Sequence, residues 1–102
     1  MKKLRVSNRA EQDLDDIWYF IAKNSGSIEI ANRVVDSVAE HLVLLSRAPH
    51  AGRERKEIEP GLRGYPAGSY IIYYKLSAPY VIIARVIHGS REQKAAYFEI
   101  AN

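Results

Sequence analysis

Apolar side chains recur at helical spacing in the first half of this chain and at strand spacing in the second. Residues 3–7 alternate polar and apolar, which predicts a short half-buried strand. Ala10, Leu14, Ile17, Trp18 and Ile21 then share one helix face. Asn8 and Glu11 have capping-box spacing, and Ser7 is an alternative cap. Asn24-Ser25-Gly26-Ser27 breaks the pattern and supplies a new cap. A second helix is expected to run to about Arg47, with Ala31, Val34, Val35, Val38, Leu42 and Leu45 as its stripe. So short a connection predicts an antiparallel helical hairpin.

Pro49 ends the second helix. Residues 48–61 form a polar connector, part of it expected as an extended edge. Leu62–Tyr65, Ser69–Leu76 and Tyr80–His88 then read as strands, joined by turns at Pro66-Ala67-Gly68 and Ser77-Ala78-Pro79. Short turns between consecutive strands make an antiparallel meander. Strict alternation in the last strand places Val81, Ile83, Arg85 and Ile87 on one face and Tyr80, Ile82, Ala84, Val86 and His88 on the other. Both faces are largely apolar, so both should be covered. The helices cover one; the tail, a second copy or another protein must cover the other. The tail after Arg91 reads as a last helical turn or another strand.

Composition narrows the class. The 102 residues fit one domain, 47% apolar and 26% charged. Without cysteine there is neither a disulfide framework nor a thiolate metal site. No apolar run approaches the roughly 18 residues that span a membrane, and the N-terminus lacks the apolar core of a signal peptide. A cytoplasmic protein is expected. Residues 1–46 hold six basic and seven acidic side chains, whereas residues 47–102 hold nine and five. That C-terminal excess suits an acidic protein or a nucleic acid, and a solvated basic surface explains it as well.

Few constellations carry chemistry. His41, His50 and His88 are far apart and lack metal-ligand spacing, so no metal or cofactor is expected. Asp13, Asp15, Asp16 and Asp36 read as a solvated helix face, the first three also favouring the positive end of the helix dipole. RNA cleavage is the one enzyme reading with content, since it needs a base, cations for the phosphate and an acid. Its candidates are Arg63, Arg85, His88, Arg91 and Tyr97. Each has a structural alternative: Arg85 lying along the sheet or pairing with a carboxylate, His88 satisfying a strand end, Tyr97 in the core.

The chain resembles the RelE/ParE toxin superfamily, and within it the ParE-like branch. The motifs are Ala10-x-x-Asp13-Leu14-x-x-Ile17, Pro49-x-x-Gly52-Arg53, Gly61-Leu62-Arg63, Tyr65-Pro66-x-Gly68-x-Tyr70, Tyr73-Tyr74 and Arg85-Val86-Ile87-His88-Gly89-x-Arg91. Their order and spacing span nearly the whole chain. The resemblance implies an α+β fold in which a short N-terminal strand precedes a helical hairpin packed on an antiparallel sheet of about four strands. It implies a toxin of a type II toxin–antitoxin (plasmid stabilisation) system, not an enzyme, that acts on DNA gyrase and is neutralised by a ParD-like antitoxin. Arg63, Tyr73, Arg85, His88 and Arg91 are the expected partner-binding residues. The alternative is a RelE-like ribosome-dependent mRNA endoribonuclease using Arg91, Tyr97 and His88. Against it, the middle strand is aromatic and aliphatic, with only Lys75 near its end. A non-toxic binding module of the same fold is the third reading.

Overall fold

The computed structural model describes residues 2–91. The elements are β1 (Lys3–Val6), α1 (Asn8–Ser25), α2 (Ile28–Arg47), β2 (Arg53–Glu54), β3 (Leu62–Ala67), β4 (Tyr70–Ser77) and β5 (Tyr80–His88). They form one five-stranded sheet in the order β1-β5-β4-β3-β2. The meander β2-β3-β4-β5 is antiparallel. β1 joins β5 in parallel, so the sheet is mixed. The α+β class and the hairpin follow the sequence expectation. β2, two residues inside the polar connector, is the extended edge expected there, and the addition is the parallel direction of β1.

Local chemistry sets the helix ends. Ser7 caps α1: its Oγ accepts from the Ala10 N–H at 3.0 Å and donates to the Ala84 carbonyl at 2.9 Å. One hydroxyl thus starts the helix and ties it to β5. Gly26 ends α1 with φ 68°, a left-handed conformation that glycine adopts without a steric cost. Ser27 then caps α2 through the Ile30 N–H. Trp18 Nε1 donates to Asn32 Oδ1 at 2.7 Å, fixing one helix on the other.

The main core lies between the hairpin and one sheet face. It joins Ala10 and Ile17 of α1, Val38, Leu42 and Leu45 of α2, and Ile72, Tyr74, Val81, Ile83 and Val86 of the sheet. Each large aliphatic buried here contributes about 1.5–3 kcal/mol. A smaller cluster of Leu62, Tyr73 and Ile87 lies on the opposite face, with Ile58 and Ile71 packed on it. Ile58 comes from the connector, so part of the second face is covered by the chain itself. The register of β4 and β5 shifts at Tyr73/Tyr74, where Ala84 is an extra residue. This bulge corrects the strict alternation expected for β5. Val81, Ile83 and Val86 join the helix-side core, whereas Ile87 joins the opposite cluster.

Tyr74 locks the connector to the sheet. Its hydroxyl accepts from the Gly52 N–H at 2.8 Å and donates to the Pro49 carbonyl at 2.8 Å. Arg63 Nη1 donates to the Gly52 carbonyl at 2.7 Å. A Cβ on Gly52 would stand 2.5 Å from that hydroxyl oxygen, which explains a glycine there without invoking its φ.

Candidate partner-binding site

A groove opens where α1 and α2 meet the β3–β4 turn and the end of β5. Its two lobes share Phe20, Tyr70 and His88. One lobe, of about 490 Å³, adds Asp16, Val86 and Arg91. The other, of about 450 Å³, adds Arg33, Val34 and Ser37. Phe20 follows from the helical period: Ile17 and Ile21 turn inward, so Phe20 projects outward and is 64% exposed. Its ring stands between the two lobes as an exposed apolar surface.

Polar groups rim the apolar floor. The edge of the His88 ring meets Tyr70, centroids 5.3 Å apart. His88 Nδ1 accepts the Ser90 N–H at 3.1 Å and lies 2.7 Å from Ser90 Oγ. Burial raises the Tyr70 pKa above 10.0, keeping its hydroxyl neutral. Arg33 and Arg91 outnumber Asp16, whose Oδ1 accepts from Gln12. Apolar side chains next to carboxylates suit this lining.

The structure separates the sequence-derived candidates. His88 and Arg91 line the groove. Arg85 and Tyr73, expected at the rim, are instead buried. Arg85 is 5% exposed, and its Nε and Nη2 each donate to Asp13 at 2.8 Å. Asp13 Oδ2 also accepts the Val86 N–H at 3.0 Å. The solvated reading of Asp13 is therefore corrected too: its carboxylate completes the edge of β5 beyond the last residue of β1. Tyr73 is fully buried in the smaller cluster, with the Arg55 guanidinium 5.9 Å from its ring centre. Arg63 is half-buried and serves the connector through Gly52 and Glu54. Tyr97 lies outside the described residues.

Sequence reasoning missed Phe20 and Arg33, and singled out Tyr70 only within the Tyr65-Pro66-x-Gly68-x-Tyr70 motif. A signal existed for Phe20, because Tyr19-Phe20 puts two aromatics beside the apolar stripe of α1. Arg33 carries no local signal; only the packing of the hairpin over the β3–β4 turn brings it together with Tyr70. Among the described residues, no group of three His, Cys, Asp or Glu could hold a metal ion. None of the described helices is long and apolar enough to cross a membrane.

Comparison with known proteins agrees with the fold. Residues 4–93 match the family model of the ParE toxin of the type II toxin–antitoxin system parDE. Toxin ParE1 of Caulobacter vibrioides is 30% identical over 95 residues, covering 93% of this chain and 97% of that protein. Toxin ParE3 of the same organism is 29% identical over 77 residues, covering 76% of each. A solved structure described as a chromosomal ParDE TA system from P. aeruginosa superposes with a TM-score of 0.77 at 22% identity, over 86% of this chain and 96% of that one. With the family model spanning most of its length, this chain belongs to the ParE toxins of type II toxin–antitoxin systems.

Proposed function

We propose that this toxin inhibits DNA gyrase by binding rather than by hydrolysis, and that a ParD-like antitoxin neutralises it by filling the groove around Phe20. The carrying observation is the exposed Phe20 ring between two apolar lobes rimmed by Arg33, His88 and Arg91. An amphipathic helix with carboxylates beside its apolar stripe is the matching partner.

The cations of the sheet support a binding role. Arg85 is held by Asp13, Arg63 by Gly52 and Glu54, and Lys75 by Glu59 at 2.5 Å. Groups so engaged serve the fold, and phosphate cleavage needs cations aimed at the substrate. The ribonuclease reading keeps one favourable observation, that His88 and Arg91 line the same lobe. Expression followed by assays of supercoiling and transcripts separates the two. Blocked supercoiling with intact transcripts is expected. Ribosome-dependent mRNA cuts that vanish in Arg91→Ala would overturn the gyrase reading, and harmless expression without antitoxin would favour a non-toxic module.

A further inference from the structure

Several cations of this chain are spent inside the fold: Arg55, Arg63, Lys75 and Arg85 each hold a carboxylate. Lys2, Lys3, Arg5 and Arg47 are different. All four are exposed, and among the described residues none of them pairs with a carboxylate. They also lie together. Lys2 and Arg47 line a cleft of about 440 Å³ with Ser46, Pro49 and Pro79. The Lys2 N–H donates to the Ser46 carbonyl and the Lys3 N–H to the Pro79 carbonyl, both at 2.8 Å, so the start of β1 is anchored to that cleft. Lys3 and Arg5 oppose Tyr80 and Ile82 and share one face of the sheet. Alternate side chains on a parallel strand stand about 6.6 Å apart, close to the step between successive phosphates of a nucleic-acid strand. Residues 2–10 contain no acidic side chain.

The chemistry of the patch selects its partner. A protein interface is built on apolar or aromatic anchors and is poor in lysine. Here the one aromatic, Tyr80, is half-buried, and the Arg5 guanidinium stands over its ring, 5.1 Å from the centre. That contact positions Arg5 without neutralising it. It also leaves little of the ring for stacking a base, which single strands require. A second copy of the chain would set these cations against their own kind. Closely spaced, unneutralised cations suit a phosphate backbone, and a duplex carries its charge more densely than a single strand. Tyr80 begins β5 beside the cations and His88 ends it in the groove, about 26 Å away along the strand. The two surfaces can therefore be occupied at once.

We propose that Lys2, Lys3, Arg5 and Arg47 hold the phosphate backbone of duplex DNA, and that the duplex they meet is the one carried by gyrase. The second half rests on the gyrase reading above; the first half does not. The full chain is titrated against a fluorescein-labelled duplex of mixed sequence at several salt concentrations. Four phosphate contacts should give log K against log[salt] a slope of about −3 to −4. Lys3→Gln with Arg5→Gln should make that slope shallower by about two. Arg53→Gln with Lys56→Gln removes the same charge at and just after β2, the far edge of the sheet, and should leave it nearly unchanged. Affinity for purified gyrase is then measured with and without the duplex. Loaded gyrase is expected to bind the wild type about tenfold more tightly than gyrase alone, and Lys3→Gln with Arg5→Gln to lose that gain. No duplex binding, or equal losses in the two variants, overturns the DNA contact and leaves the gyrase reading standing. Duplex binding as expected, with no binding to gyrase in either form, overturns the gyrase reading and leaves the DNA contact standing. Duplex binding as expected with no gain on loaded gyrase overturns the second half alone. Equal weakening of Lys3→Gln with Arg5→Gln on loaded and unloaded gyrase assigns the patch to the gyrase protein and overturns the inference.

Discussion

Asp13 and Arg85, 72 residues apart in sequence, close on each other through two hydrogen bonds of 2.8 Å in the interior of the protein. The same carboxylate holds the Val86 N–H, so α1, the bulge of β5 and the strand edge meet at one side chain. Removing one partner leaves the other charge buried. Asp13→Ala is expected to cost about 3–5 kcal/mol in a urea melt. Replacing the pair by Leu and Met should cost less than the two single losses added together, because no orphaned charge remains.

Gly52 and Tyr74 form a second long-range lock. A methyl group added at Gly52 would meet Tyr74 Oη at 2.5 Å and Cε1 at 2.7 Å. Gly52→Ala is therefore expected to destabilise the fold by about 1–3 kcal/mol. Tyr74→Phe removes two hydrogen bonds and leaves the Gly52 N–H without its partner, a loss of similar size, about 1–3 kcal/mol. Thermal melts of both variants check this.

Alkali should act through the same ring. Burial raises the pKa of Tyr70, Tyr73 and Tyr74 above the ordinary 10.0, while the Gly52 N–H and the Arg63 charge partly offset it at Tyr74. The folded state then keeps protons that the unfolded chain releases. Stability from this source is intact below about pH 10 and falls as pH rises through the folded pKa values. Urea midpoints from about pH 8 to about pH 11 should drop at the upper end, and the drop should be shallower for Tyr74→Phe.

The architecture was largely legible in the sequence, because helical period, serine caps and turn residues are local signals. Ser7 and Ser27 stand where the apolar stripes begin, and Gly26 where the first one stops. What failed was long-range. Asp13 in an early helical turn looks like any dipole-favoured carboxylate until Arg85 arrives from the last strand. Arg85 and Tyr73 seemed available because alternation cannot anticipate a bulge at Ala84 or a connector folding Ile58 over the sheet. β1 has only four residues, and its parallel direction depends on the route of the whole chain back to β5. Of the groove residues, His88, Arg91 and Tyr70 lie in sequence motifs, whereas Phe20 and Arg33 come together with them only in the assembled fold.

Phe20 offers a clean separation of binding from stability. It is 64% exposed, so Phe20→Asp should leave the melt within about 0.5 kcal/mol of wild type. Loss of this ring should nonetheless weaken antitoxin binding by about 2 kcal/mol or more, as for an aromatic anchor at the centre of an interface. Titration calorimetry beside a urea melt reads both.

The central claim is that this chain stops gyrase by binding and that the antitoxin releases it. A supercoiling assay with purified gyrase, relaxed plasmid and the purified chain tests it most directly. Dose-dependent loss of supercoiling, restored by adding antitoxin, is the expected result. Full supercoiling activity at saturating toxin, together with mRNA cleavage on translating ribosomes, would contradict it.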